Sequence, residues 1–103
     1  MYRAPVEDIT HTLNAVAGLS AAIGEGKLGD LSDDLVSAIL EEAGKFANEA
    51  LSPLNRVGDA HGAVVNKGVV TTAPGWKDTY KAWREGGWNS LTGPEEYGGR
   101  GLD

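Results

Sequence analysis

Few side chains in this 103-residue chain could do chemistry, and they are widely spaced. His11 and His61 are the only histidines and lie fifty residues apart, with no cysteine anywhere. A transition-metal site needs several converging ligands, and nucleophilic sulfur chemistry needs a thiolate, so neither is expected. Helical spacing places His11 about 200° from Ile9, on the solvent side of a first helix, and His61 falls in a polar loop, "GDAHG". Glu95 and Glu96 form an adjacent acidic pair. General acid–base catalysis does use paired carboxylates, but consecutive side chains point apart, so this pair reads as a charged loop. The run "GEGKLG", Gly24 to Gly29, matches the G-x-G-x-x-G pattern that cradles a pyrophosphate between a strand and a helix. Here it follows a helical stripe with no βαβ unit around it and reads as a linker between helices. There is no G-x-S-x-G elbow, and "GRG" lacks the Lys-Ser/Thr ending of a phosphate-binding loop. No catalytic, cofactor-binding or metal-binding residue is expected on this chain.

One helix combines aromatic and basic residues: Trp76, Tyr80 and Trp83 beside Lys77, Lys81 and Arg84. Such stripes can stack and neutralise a single-stranded nucleic acid. However, aromatic residues at spacings of four and three also describe a core-facing stripe, and 9 basic against 15 acidic residues give a net charge of −6. That charge gives no reason to bind nucleic acid or an anionic membrane, so core packing is the expectation for the aromatics. No run reaches the eighteen or so apolar residues of a membrane span, and "MYRAPVEDITHT" lacks the layout of a signal peptide. With the lack of cysteine, these features lead to the expectation of a soluble cytoplasmic protein.

The elements that would position these residues are mainly helical. Pro5 suits the first turn of a helix, Glu7 and Asp8 complement its dipole, and Val6, Ile9, Leu13 and Val16 form a stripe. Leu19 and Ile23 extend that stripe past Gly18, so residues 1–29 are expected to hold one helix and a linker. Ser32 is the expected cap of the main helix within 30–56, with Asp30 a rival, and Leu31 and Val36 are spaced as a hydrophobic staple. Its stripe runs through Leu35, Val36, Ile39, Leu40, Ala43, Phe46, Ala47, Ala50 and Leu51, with Glu41 and Lys45 spaced to pair on the polar side, until Pro53 ends or kinks it. In 57–73 the periodicity fades, and two valine-rich runs flank Asn66, Lys67 and Gly68, the composition of a short hairpin. A third helix is expected over 74–87 and a glycine-rich loop over 88–103.

The core is expected to be thin. Val, Leu, Ile and Phe number 22, about a fifth of the chain and barely above the level at which charged sequences stay disordered. A compact domain of this length buries about 65% of the surface its unfolded chain exposes.

The tail "GWNSLTGPEEYGGRGL", Gly87 to Leu102, resembles the G-W-x-x-L…P-E-x-Y-G-G-x-G-L signature of the acyl-CoA dehydrogenases. "ILEEAGKFANEALSPLNRVGDAHG", Ile39 to Gly62, is similar to that family's second helix and its Pro-Leu-Asn turn. "YRAPVEDITHTLNAV" is similar to the N-terminal extension of the larger bacterial branch. The resemblance implies an N-terminal helical segment of a FAD-dependent enzyme that removes α and β hydrogens from an acyl-CoA thioester. It also implies a homo-oligomer when complete, and flavin and CoA sites built mainly by a middle β domain and a C-terminal helical domain. No catalytic residue is therefore carried over, and no cofactor is expected on this chain alone. The loop containing Pro94, Tyr97, Gly98, Gly99 and Gly101 is the expected contact with the remaining domains, its glycines permitting close approach. Two readings stay open: a part of such an enzyme, or a free-standing helical interaction module derived from it.

Overall fold

The computed structural model describes residues 1–102. Four helical bodies and one hairpin follow in chain order. These are α1 (Val6–His11) with a π-helical turn Thr12–Val16, α2 (Leu19–Gly24), α3 (Asp33–Phe46) joined through a π-helical turn Ala47–Leu51 to α4 (Ser52–His61), the antiparallel strands β1 (Val64–Asn66) and β2 (Val69–Thr71), and α5 (Trp76–Glu85). Short 3₁₀ turns at Trp88–Ser90 and Glu95–Tyr97 shape the tail. The mainly helical class with one hairpin agrees with the sequence reading.

Several boundaries differ, each for a local reason. The first helical stripe does not continue past Gly18, which adopts φ +72° and separates the π turn from α2. Thr10 and Thr12 turn their hydroxyls back onto the carbonyls of Val6 and Asp8, at 2.8 and 2.9 Å, and the backbone widens immediately afterwards. Pro53 does not end the main helix, which runs to His61 and is capped by Gly62 at φ +64°. Proline in a helix clashes with the carbonyl four residues back, here that of Glu49. Glu49 lies in the wider π turn, where that carbonyl has room to turn aside. Residues 57–61, expected in the irregular segment, thus belong to a helical body 29 residues long, or about 43 Å.

The cap and the left-handed glycine of the hairpin act as read, while Asn66, expected in the turn, ends the first strand. Ser32 caps α3, its Oγ accepting a hydrogen bond from the Leu35 amide at 3.2 Å, so Asp30 is not the cap. Lys67 at φ 49° and Gly68 at φ 79° form the two-residue connection between β1 and β2. Positive φ at both positions defines a type I′ turn, whose twist matches that of the strands. Lys45 forms no ion pair with Glu41; the ion pairs among the described residues are Glu25 with Lys27 and Lys81 with Glu85, both exposed.

Packing is local. Gly44 is buried because α1 lies directly on it: a Cβ there would sit 2.8 Å from Val6 Cγ2. The Ala4 amide donates to Asn48 Oδ1 at 2.7 Å, fixing the N-terminal segment to the π-helical turn that follows α3. The Ser20 hydroxyl reaches Asp33 Oδ1 at 2.8 Å and so ties α2 to the start of α3. Gly58 leaves room for the indole of Trp76, which would lie 2.9 Å from a Cβ at that position.

No deep core results. Ala73 is the one buried hydrophobic residue among those described, and it keeps 7% of its surface exposed. The radius of gyration is 17.2 Å, against about 13 Å for a compact domain of this length. The surface of 7832 Å² is about half of what the unfolded chain would expose, so the expected burial of about 65% is not reached. The stripes are correct in period but only half covered: Val16, Leu35 and Leu51 stay exposed, as do Trp76 and Tyr80 of the aromatic stripe expected in the core. Of that stripe Trp83 packs into a cluster with Phe46 and Trp88 at centroid distances of 6.1 to 6.4 Å, while Trp76 lays one side of its indole against Gly58 and leaves 43% of its surface exposed.

Candidate functional site: the carboxy-terminal loop and its groove

The glycine-rich tail is a closed structure. After α5, Gly87 at φ +77° reverses the chain, and the Ser90 hydroxyl donates to the Gly87 carbonyl at 3.0 Å. Pro94, extended at φ −60° and ψ 143°, opens the second 3₁₀ turn, and Gly98 at φ +86° closes it. The returning segment then bonds the outgoing one. Arg100 N donates to Ser90 O at 3.0 Å, Gly101 N to Gly93 O at 2.8 Å and Leu102 N to Leu91 O at 2.9 Å. These bonds draw Gly99 so close to Gly93 that a Cβ on Gly99 would fall inside the Gly93 peptide unit.

The expected interdomain residues therefore lie in one loop, in differing positions. Pro94 and Tyr97 point outward, Tyr97 with 83% of its surface exposed. Gly98 and Gly101, both at positive φ, serve turns. Gly99 does permit a close approach, but to Gly93 of its own chain.

Alongside the loop runs an open groove of about 850 Å³. Leu35, Ala38, Ile39 and Glu42, one face of α3 over two turns, form one wall. Trp88, Leu91, Glu95, Arg100 and Leu102 form the other. The Arg100 guanidinium lies over Gly87, where a Cβ would be 3.0 Å from Nη2. Trp88, Leu91, Arg100 and Leu102 were not singled out as lining residues in the sequence. The available signal was the presence of large apolar residues in a segment with no helical period.

The remaining residues that could do chemistry are not assembled. His11 and His61 are both exposed. Among the described residues no group of three or more His, Cys, Asp or Glu could hold a metal ion. Gly24 to Gly29 span the end of α2 and a run of turns, and the next helix starts with Asp33 and Asp34, whose charges oppose a phosphate at that terminus. A flavin dinucleotide does not fit these residues. Glu95 and Glu96 are exposed in the second 3₁₀ turn. Among the described residues no helix is long and apolar enough to cross a membrane.

No protein-family model matches the chain. Its sequence is similar to the amino-terminal part of an acyl-CoA dehydrogenase. That relative is the 3-methylmercaptopropionyl-CoA dehydrogenase of Ruegeria pomeroyi, 35% identical over 101 residues that cover 98% of this chain. The chain spans 17% of the length of this curated relative. The resemblance read from Gly87–Leu102 and Ile39–Gly62 is thus present along nearly the whole sequence.

Proposed function

We propose that this chain is the amino-terminal helical part of a FAD-dependent acyl-CoA dehydrogenase, a cytoplasmic enzyme that removes the α and β hydrogens of an acyl-CoA thioester. The similarity over 98% of the chain carries this reading. Physical chemistry supports the division of labour. A dehydrogenation site must exclude water and hold its groups preorganised, which requires a buried cavity with converging polar groups. Here the hollow beside the tail loop is an open groove, and the one buried hydrophobic side chain among the described residues is an alanine. In this reading the flavin, the thioester and the catalytic base belong to other domains. This chain contributes a scaffold, the long α3–α4 body with the tail loop locked beside it, whose half-covered faces those domains close.

Purified alone, the chain is expected to show no turnover of 3-methylmercaptopropionyl-CoA or other acyl-CoA thioesters with added FAD and an electron-accepting dye. Turnover by the pure chain would refute the placement of the chemistry elsewhere.

A further inference from the structure

A second open hollow, of about 390 Å³, has walls that include Tyr2, Leu51, Leu54 and Trp76 and no charged side chain. Tyr2, Leu51 and Trp76 are all exposed. The helix that starts at this hollow, α5, is basic on its outer side. Counted round the helix from Trp76, Tyr80, Arg84, Lys77 and Lys81 follow at about 40°, 80°, 100° and 140°, and all are exposed. Glu85 and Asp78 fall about 180° and 200° away, and Asp59 lines a separate hollow with Gly58 and Ala73. Lys81 faces Glu85 at 3.8 Å, whereas Lys77 and Arg84 have no ion-pair partner among the described residues. These two cations stand on one line of the helix, about 10 Å apart along its axis. Charge is segregated on the larger scale too. Residues 56–84 carry five Lys and Arg against two Asp, a net +3, while the remainder of the chain carries −9.

We infer that the remaining domains cover this face with an acidic segment, which seats an apolar side chain in the hollow and brings two carboxylates, about 10 Å apart, to Lys77 and Arg84. On the reading of this chain as one part of a larger enzyme, on which this inference rests, another domain closes the hollow. Because Trp76 belongs both to the hollow and to α5, a body that closes the one passes over the cations of the other. Covering an unpaired cation removes its hydration, a cost that is met only where carboxylates replace the lost water. The long-range field acts in the same sense, since a local +3 on an acidic chain steers an acidic partner to this end of the molecule. Single-stranded nucleic acid would suit the aromatic and basic arc alone, but a long polyanion also meets the −9 of the remainder. A short acidic segment touches only the patch, and charges more than about 8 to 10 Å away are screened.

Fluorescence anisotropy of the full chain, with a labelled peptide of Asp and Glu around a central Leu, reads the chemistry of the face without reference to flavin. Binding is expected at roughly 100 µM or tighter at low ionic strength and should weaken as salt is added. Lys77→Glu combined with Arg84→Glu should weaken it roughly tenfold, whereas Lys27→Glu with Lys45→Glu, an equal change of net charge elsewhere, should alter it by less than about twofold. All four positions are exposed, and far-ultraviolet circular dichroism confirms that both variants keep their helices. Zero-length carbodiimide coupling then identifies the source of the segment. In a chimera of residues 1–102 with the remaining domains of the Ruegeria pomeroyi enzyme, Lys77 should become joined to an Asp or Glu of those domains. The link between Lys81 and Glu85 serves as the internal control. A flavin-loaded chimera whose Lys77 stays unlinked overturns the proposal and leaves the enzymatic reading intact. A colourless chimera defeats that reading, and with it the assignment of the segment to other domains, even where the peptide binds. Equal binding of a peptide with Asn and Gln in place of the acids, or tighter binding of oligothymidine than of the acidic peptide, also overturns the proposal.

Discussion

Replacing Gly99 with alanine is expected to open the carboxy-terminal loop. The added methyl would occupy the position of the Gly93 peptide unit, and backbone cannot rotate aside as a flexible side chain can. The two segments must separate, breaking the bonds from Arg100, Gly101 and Leu102 to Ser90, Gly93 and Leu91. Losses of this kind cost about 2 to 4 kcal/mol where closure depends on one contact. Amide exchange measured by NMR should then accelerate by roughly tenfold or more at Gly101 and Leu102, while α3 amides keep their protection. Gly98→Ala provides the comparison: nothing lies within 4 Å of its Cβ position, so its penalty comes only from φ +86° and should be smaller. Unchanged exchange in Gly99→Ala would show that the loop is not closed as described.

Phe46→Ala should produce the second large effect. Phe46 lies at the end of α3 and contacts both Trp83 and Trp88, at centroid distances of 6.1 and 6.4 Å. It is thus the contact through which the main helix holds α5 and the tail. Full burial would place the cost of removing the ring at 3 to 5 kcal/mol; the ring is half-buried, so about 2 to 3 kcal/mol is expected. For a domain this small, that lowers the melting temperature by on the order of 10 °C. Trp83 and Trp88 would also become more hydrated, shifting tryptophan emission to longer wavelength. An unchanged melting temperature would mean that these three rings do not join the helices.

These two residues show how legibility differed along the chain. The signal for Phe46 was local: its place in a stripe of period 3.6 assigned it to the inward face. Ser32 and the Lys67–Gly68 turn were legible for the same reason, since capping and a type I′ turn depend on a few adjacent residues. Gly99 was read as permitting approach to another domain; its approach to Gly93 of its own chain was not legible, because that contact arises only when the loop closes. Pro53 carried a signal that the tertiary context changed: its clash is real, and a π turn absorbs it. The exposure of Trp76 and Tyr80 was hidden as well, since a stripe marks the face that would be buried without specifying what covers it.

Half-covered faces connect the fold to the functional reading. The period of each helix provides an inward side, but the chain has too few large apolar residues to close those sides against one another. Leu35 and Ile39 line an open groove, and Leu51 lies exposed beside Trp76. In the proposed enzyme the other domains complete these surfaces.

The most direct measurement is the flavin absorbance of a chimera in which residues 1–102 of this chain replace the corresponding amino-terminal part of the Ruegeria pomeroyi enzyme. If this chain is the scaffold of an acyl-CoA dehydrogenase, the purified chimera should be yellow, carry about one FAD per chain and bleach when an acyl-CoA thioester is added. A folded but colourless chimera, compared with a yellow parent enzyme prepared in the same way, would contradict the account.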